Sequence, residues 1–213
     1  MTDWSVIINT MSPDKKQRIM KAAEQLFHTR RFHETTLDEI AKAADVGKGT
    51  IYLYFTDKED LIFQAAVEGF DKMCLQLQEN AAQGEAFRER LLRTCENISI
   101  FFRARRPLFR IILSEGDRDM ENGSGGLQRR WRERRKNMSD AVAAILSRGM
   151  AAGEIRTDVP TGILAEYLLG MLRTRSWELE DWPEAQRSVA GVVDLFLNGA
   201  GSRAPERKPA KET

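Results

Sequence analysis

From Pro13 to Asn198 apolar residues return three and four places apart, and no stretch alternates apolar and polar residues as a half-buried strand would. That spacing limits the chain to helices that each bury one face. Behind a Ser12-Pro13-Asp14 start, Ile19, Ala22, Ala23, Leu26 and Phe27 share such a face. Thr36-Leu37-Asp38-Glu39 is a capping box, in which hydroxyl and carboxylate satisfy free N–H groups reciprocally. Leu37, Ile40, Ala41 and Ala44 continue it as a short amphipathic helix, Asp45-Val46-Gly47 breaks it, and the next helix begins near Lys48. Thr56-Asp57-Lys58-Glu59 reads as a second capping box, opening a helix toward Ala82. Residues 12 to 60 are thus three short helices and the start of a longer one, the middle pair joined by a tight turn: a helix-turn-helix.

Beyond Gly84 the predicted helices lengthen. Phe87, Leu91, Cys95, Ile98 and Phe102 line one face, and Pro107 starts a short helix with Leu108, Ile111 and Ile112. Glu115 to Gly126 reads as a loop, ending in Asn122-Gly123-Ser124-Gly125-Gly126. A long helix with Trp131, Met138, Val142, Ile145 and Leu146 inward then stops at Gly153, and Pro160 opens another through Leu172. The last is expected from about Pro183 to Asn198-Gly199, before a polar tail. The fold class expected is all-α.

Composition narrows function mainly by exclusion. A chain of 213 residues, 42% hydrophobic and 31% charged, can bury a sizeable core. Its formal charge of +1 gives no general attraction to nucleic acid. No apolar run reaches the roughly 20 residues of a membrane span, and no basic-then-apolar leader opens the sequence. Cys74 and Cys95 read as reduced core thiols, so a cytoplasmic location is expected. His28 and His33 lack metal-ligand spacing, and Glu178, Glu180 and Asp181 lack a partner base. No catalytic residue, metal or cofactor is expected, and the chain does not read as an enzyme.

The stretch DVGKGTIYLYF, Asp45 to Phe55, admits two readings. A phosphate-binding loop needs a glycine five residues before its Gly-Lys pair and a hydroxyl residue directly after the lysine. Here Lys42 holds the first place, Gly49 the second, and a helix rather than a strand precedes the stretch. The loop reading fails on all three. As a helix, the stretch turns Ile51 and Phe55 inward, suited to pack on Leu37 and Ile40, and leaves Lys48, Thr50, Tyr52 and Tyr54 outside. Such a helix fits the major groove of DNA, which is about 12 Å wide, although a solvated amphipathic helix would share the spacing.

Thr35-Thr36-Leu37-Asp38-Glu39-Ile40-Ala41, Ala44 to Tyr52, Tyr54-Phe55 and Lys58-Glu59-Asp60-Leu61 together resemble the DNA-binding domain of the tetracycline-repressor (TetR) family. The resemblance runs without a gap over about residues 12 to 62; the rest of the chain matches that family only in length and helical character. It implies a flexible N-terminus at 1–11, a helix-turn-helix DNA-binding domain at 12–57, a larger helical ligand-binding and dimerisation domain at 58–199, and a disordered tail at 200–213. Carried over, Thr36 would cap the second helix and bond a phosphate. Lys48, Gly49, Thr50 and Tyr52 would meet bases or nearby backbone, and Tyr54 and Lys58 would hold phosphates. Two departures stand out: Gly47 replaces a common capping serine, and Leu53 an aromatic or polar residue. Residues 12 to 58 hold nine Lys/Arg against seven Asp/Glu, a net of only +2. Non-specific affinity should be modest, and a second copy of the domain is needed.

The resemblance further implies a homodimer formed by the last two helices, with Tyr167, Leu168, Met171, Val192, Val193 and Phe196 as candidates, each equally explained as core. Cys95, Ile98, Phe101, Phe102, Phe109, Trp131 and Met138 are candidates to line a cavity for a small apolar effector, or are ordinary core. Arg129 to Lys136, six positive charges and one negative, is either the solvated face of a long helix or a second binding surface. The reading is a dimeric repressor released from a near-palindromic, double-stranded operator by a small molecule. An activator, or an adaptor acting through a protein partner, is the alternative.

Overall fold

The computed structural model describes residues 13–80, 85–122 and 126–200. The N-terminal segment 1–11, the cap expected at Ser12, the glycines at 123 and 125, and the tail from 201 onward lie outside the described residues. Within them are ten helices and no strand: α1 (Pro13–Thr29), α2 (Leu37–Ala43), α3 (Lys48–Tyr52), α4 (Lys58–Val67), α5 (Phe70–Asn80), α6 (Phe87–Ala104), α7 (Arg106–Asn122), α8 (Gly126–Ala151), α9 (Thr161–Trp177) and α10 (Val189–Ala200). No helix among the described residues is long and apolar enough to cross a membrane.

The chain divides into two compact units: residues up to Phe70 with Ala104–Arg134, and Asp71–Arg103 with the residues from Arg135 onward. In the first, α1 packs on α2, α4 and α7, α4 packs on α7, and α2 on α3. Ile19, Ala23, Ile40, Ile51, Leu61, Ile62, Leu108 and Ile112 are fully buried there. Trp131 sits edge-on to both Phe70 and Phe109, with ring centroids 5.6 and 4.8 Å away. Such edge-to-face packing suits the aromatic quadrupoles. In the second unit α9 packs on α10. Leu91, Cys95, Ala141, Val142, Ile145, Leu146 and Val193 form its fully buried centre.

Four helix limits differ from the sequence reading. The helix expected to run to Ala82 breaks at Glu68 and Gly69, where Gly69 takes φ 75°. Apolar spacing continues through the break as Phe63, Ala66, Phe70, Met73 and Leu77, so periodicity alone cannot reveal it. The loop expected from Glu115 is helix as far as Asn122. The last helix starts at Val189 rather than near Pro183. Residues 183–188 form turns instead: Arg175 donates to the Arg187 carbonyl at 2.5 Å and pairs with Glu184, and the Ser188 hydroxyl accepts from the Gly191 N–H at 3.0 Å. Finally α4 is capped by Asp57, whose Oδ1 accepts the Asp60 N–H at 2.7 Å, and not by Thr56.

One close approach in the second unit can be tested directly. A Cβ added at Gly149 would lie 2.6 Å from Cζ and 2.9 Å from Cδ2 of the buried Phe87 ring. Gly149→Ala should destabilise the protein by about 1–3 kcal/mol in urea titration, the usual cost of overpacking. In a Phe87→Leu background most of that loss should vanish.

Candidate nucleic-acid interface

The three N-terminal helices are fixed to one another by short polar contacts at their ends. At α2 the capping box is complete: Thr36 Oγ1 accepts the Glu39 N–H at 3.3 Å, and the Thr36 N–H donates to Glu39 Oε2 at 2.9 Å. The backbone N–H of Thr36, then its hydroxyl, with Arg30 at 2.6 Å adding to them, hold the Glu39 carboxyl below the usual carboxylate range. In the turn between α2 and α3, Asp45 takes the left-handed conformation at φ 52°, a region that Asp tolerates better than most residues. Arg18 of α1 reaches across to donate to the carbonyls of Ala44 at 2.7 Å and Asp45 at 3.1 Å, so the turn is tied to the first helix.

Helix α3 is five residues long, and Gly47 caps it with backbone only, with no side-chain hydrogen bond. Ile51 and Phe55 are buried beneath it as their spacing predicts. Opposite them lies an open face. Tyr52 is 53% and Leu53 42% exposed, and nothing lies within 4 Å of where a Cβ on Gly49 would be. Lys48 is exposed as well, while Thr50 and Tyr54 are half-buried. The structure therefore gathers Lys48, Gly49, Tyr52 and Leu53 on one accessible surface. It is a surface with cation, backbone, phenol and apolar group side by side, the chemistries that meet phosphates and base edges in a major groove.

Two lysines already have partners. Lys48 Nζ lies 2.8 Å from Asp38 Oδ2, and this hydrogen bond raises the lysine pKa above its ordinary value. Lys58 turns back onto the loop before α2, donating to the carbonyls of Phe32 at 2.8 Å and Thr35 at 2.9 Å, with its Nζ 4.1 Å from the centre of the Phe32 ring. Asp38 and Arg18 were missed by the sequence reading. Both act across helices, and a single sequence carries no local signal for such pairs.

The remaining candidates are distributed as follows. Phe109 and Trp131 belong to the first unit, and Cys95, Ile98, Phe101, Phe102 and Met138 to the second. Burial pushes the Cys95 thiol up to about 12, so it packs as a neutral group. On the last two helices Leu168, Val192, Val193 and Phe196 are buried within their own unit and Met171 is half-buried. The large apolar side chains left outside are Ile163, Tyr167 and Leu195, at 46%, 64% and 68% exposure. Of these the sequence reading had named only Tyr167. In the basic run, Arg130 pairs with Asp60, Arg135 with Glu166 and Lys136 with Asp140. Among the described residues no group of three or more His, Cys, Asp or Glu is placed to hold a metal ion.

Removing the acid that holds Lys48 should free the lysine for phosphate. Asp38→Asn is expected to tighten binding to random duplex DNA at low salt by about threefold, since exposed ion pairs are weak. Fluorescence anisotropy on a labelled duplex would check this, and unchanged binding would mean that Lys48 does not reach the backbone.

Comparison with known proteins agrees with this geometry. The family described as "Bacterial regulatory proteins, tetR family" matches residues 19–65, which span α1 to most of α4. An uncharacterised HTH-type transcriptional regulator of Bacillus subtilis, YhgD, is 24% identical over 190 residues, covering 88% of this chain and 96% of its own. The fatty acid degradation regulator FadR of Bacillus halodurans superposes with a TM-score of 0.74 at 23% identity, covering 91% of this chain and 99% of that one. FadR of Bacillus subtilis, solved in complex with stearoyl-CoA, gives 0.67 at 20% identity, over 85% and 95%. Residues 19–65 thus match the tetR family of bacterial regulatory proteins, and the helix-turn-helix formed by α2 and α3 lies within that match.

Proposed function

We propose that the protein is a dimeric, cytoplasmic repressor that reads a near-palindromic operator through Lys48, Gly49, Thr50, Tyr52 and Leu53 and is released by a small apolar effector. The observation that carries the reading is the open face of α3, held above the buried Ile51 and Phe55. Leu53 joins the set because an exposed leucine beside Tyr52 suits the thymine methyl group. Thr36, Tyr54 and Lys58 are assigned to phosphates. For Thr36 and Lys58 this means exchanging hydrogen bonds they now make within the chain.

Dimerisation is assigned to the outer faces of α9 and α10. Ile163, Tyr167 and Gly170 follow a three-and-four spacing on α9, and Leu195 projects from α10. Two such helices from each copy would form a four-helix interface and set two copies of α3 about one DNA turn, roughly 34 Å, apart. For the effector, the complex of the Bacillus subtilis relative with stearoyl-CoA favours a long-chain acyl thioester. Ile98, Phe101, Phe102 and Met138 suit its apolar chain. Release would follow from tighter effector binding to a conformation whose α3 spacing does not fit the operator.

Selection of random duplex DNA on the full-length protein should enrich a near-palindromic site. Lys48→Ala and Tyr52→Ala are each expected to weaken it by about tenfold or more, the scale of a lost base or phosphate contact. Failure to enrich any site would reject the reading. Leu195→Asp should yield a monomer in sedimentation and lower operator affinity by about a hundredfold, as loss of bivalency predicts.

A further inference from the structure

The basic run of α8 contains a residue whose partners lie at the root of the reading helix. Arg130 donates to Asp60 Oδ1 at 2.8 Å, and its guanidinium lies 4.0 Å from the centre of the buried Phe63 ring. The Asp60 side chain is only 13% exposed. Its other oxygen, Oδ2, accepts the Thr56 N–H at 3.2 Å and the Gln64 side-chain amide at 2.8 Å. One carboxylate thus receives donors from three places: the junction that follows α3, the second turn of α4, and α8.

We propose that Arg130 is a positioning residue for DNA reading, acting through Asp60 and Phe63 to fix the junction between α3 and α4 and hence the angle at which α3 meets the operator. The inference rests on the DNA-reading assignment above. The junction is short. Phe55, which anchors the end of α3, is followed at once by Thr56, whose N–H is held by Asp60, and by Asp57, which caps α4 through the Asp60 N–H. Turning the Asp60 carboxylate out toward water would release Thr56, the residue adjoining that anchor. Arg130 prevents this by occupying the oxygen that Thr56 and Gln64 leave available.

The chemistry calls for arginine in particular. A planar guanidinium can lie over an aromatic ring while its edge donates to a carboxylate, whereas a compact ammonium meets one of the two demands. The neighbouring Trp131 is lodged independently against Phe70 and Phe109. The first turns of α8 therefore keep an anchor when Arg130 is replaced. This role also answers the question raised by the basic run. A helix face rich in arginine looks like a nucleic-acid surface in sequence, yet Arg130, Arg135 and Lys136 each hold a carboxylate of the same chain.

The test compares full-length wild type with Arg130→Met, Arg130→Lys, Asp60→Asn and the Arg130→Met/Asp60→Asn double variant. Each is measured by anisotropy on the duplex that wild type selects and on a scrambled duplex, across a salt series. The expected result is about tenfold weaker operator binding in Arg130→Met, as befits a lost charged hydrogen bond. Arg130→Lys should fall between it and wild type, scrambled-duplex affinity should stay within about twofold, and the slope of affinity against salt should not change. The double variant should bind the operator no more weakly than the weaker single variant, because both changes break one linkage. Full operator affinity in Arg130→Met at a temperature where it is folded would overturn the proposal. So would a slope reduced by about 0.9 on both duplexes, which would make Arg130 a phosphate contact. Should wild type itself select no duplex, it is the DNA-reading assignment that fails.

Discussion

A five-residue helix has no stability of its own in water. Nucleating a helix fixes several residues for the first hydrogen bond, and isolated helices shorter than about 12 residues are marginal even with favourable sequences. Helix α3 exists because Ile51 and Phe55 are buried beneath it, and because both of its ends are held from outside. Arg18 holds the turn that enters it, and the Asp57–Asp60 cap holds the turn that leaves it. Gly47 contributes no side-chain bond to its start, so these two external anchors carry the orientation that a stronger cap would otherwise share. The accuracy with which Tyr52 and Leu53 are presented therefore depends on the anchors from α1 and α4 more than on α3 itself.

The charges follow the same economy. The head carries a net of only +2, and several of its cations are already engaged by the chain itself. Lys48 is held by Asp38, Lys58 by two carbonyls and Arg18 by the turn. A protein arranged this way gains less from phosphates in general, because a contact from Lys48, Lys58 or Arg18 displaces an existing partner. It gains most where base-edge contacts accompany the exchange. Weak general attraction and a small, shaped reading surface both act in favour of discrimination between sequences.

How much of this could be read from the sequence depended on the range of the interaction. Starts set by neighbouring residues were legible: the Thr36–Glu39 box, the Lys48 start, and the inward pair Ile51 and Phe55 all stand where local spacing put them. The break at Gly69 was not, since apolar residues keep helical spacing straight through it and only backbone conformation marks the change. On α9 the residues Ile163 to Leu172 are apolar at nearly every position. Periodicity there cannot say which side faces inward, and Ile163 was passed over while the buried Leu168 was chosen. The pairs Lys48–Asp38 and Arg130–Asp60 span 10 and 70 residues, and folding alone brings them together.

Two heads joined by a fixed spacing would multiply small errors of angle. In the proposed dimer each copy of α3 offers only a few contacts, so occupancy of the operator depends on both heads fitting at once. A tilt that costs one head a modest factor costs the pair that factor squared. An arrangement of this kind can be switched by small displacements at the base of α3, without dismantling the head. The Asp60 carboxylate sits at that base, its two oxygens shared among donors from the α3–α4 junction, from α4 and from α8. Burial would raise the pKa of this group, but the hydrogen bonds from Arg130, Thr56 and Gln64 outweigh burial and keep it below its ordinary value. It therefore remains an acceptor for all three donors at neutral pH, and in the proposed role the loss of any one of them would loosen the junction on which the angle of α3 depends.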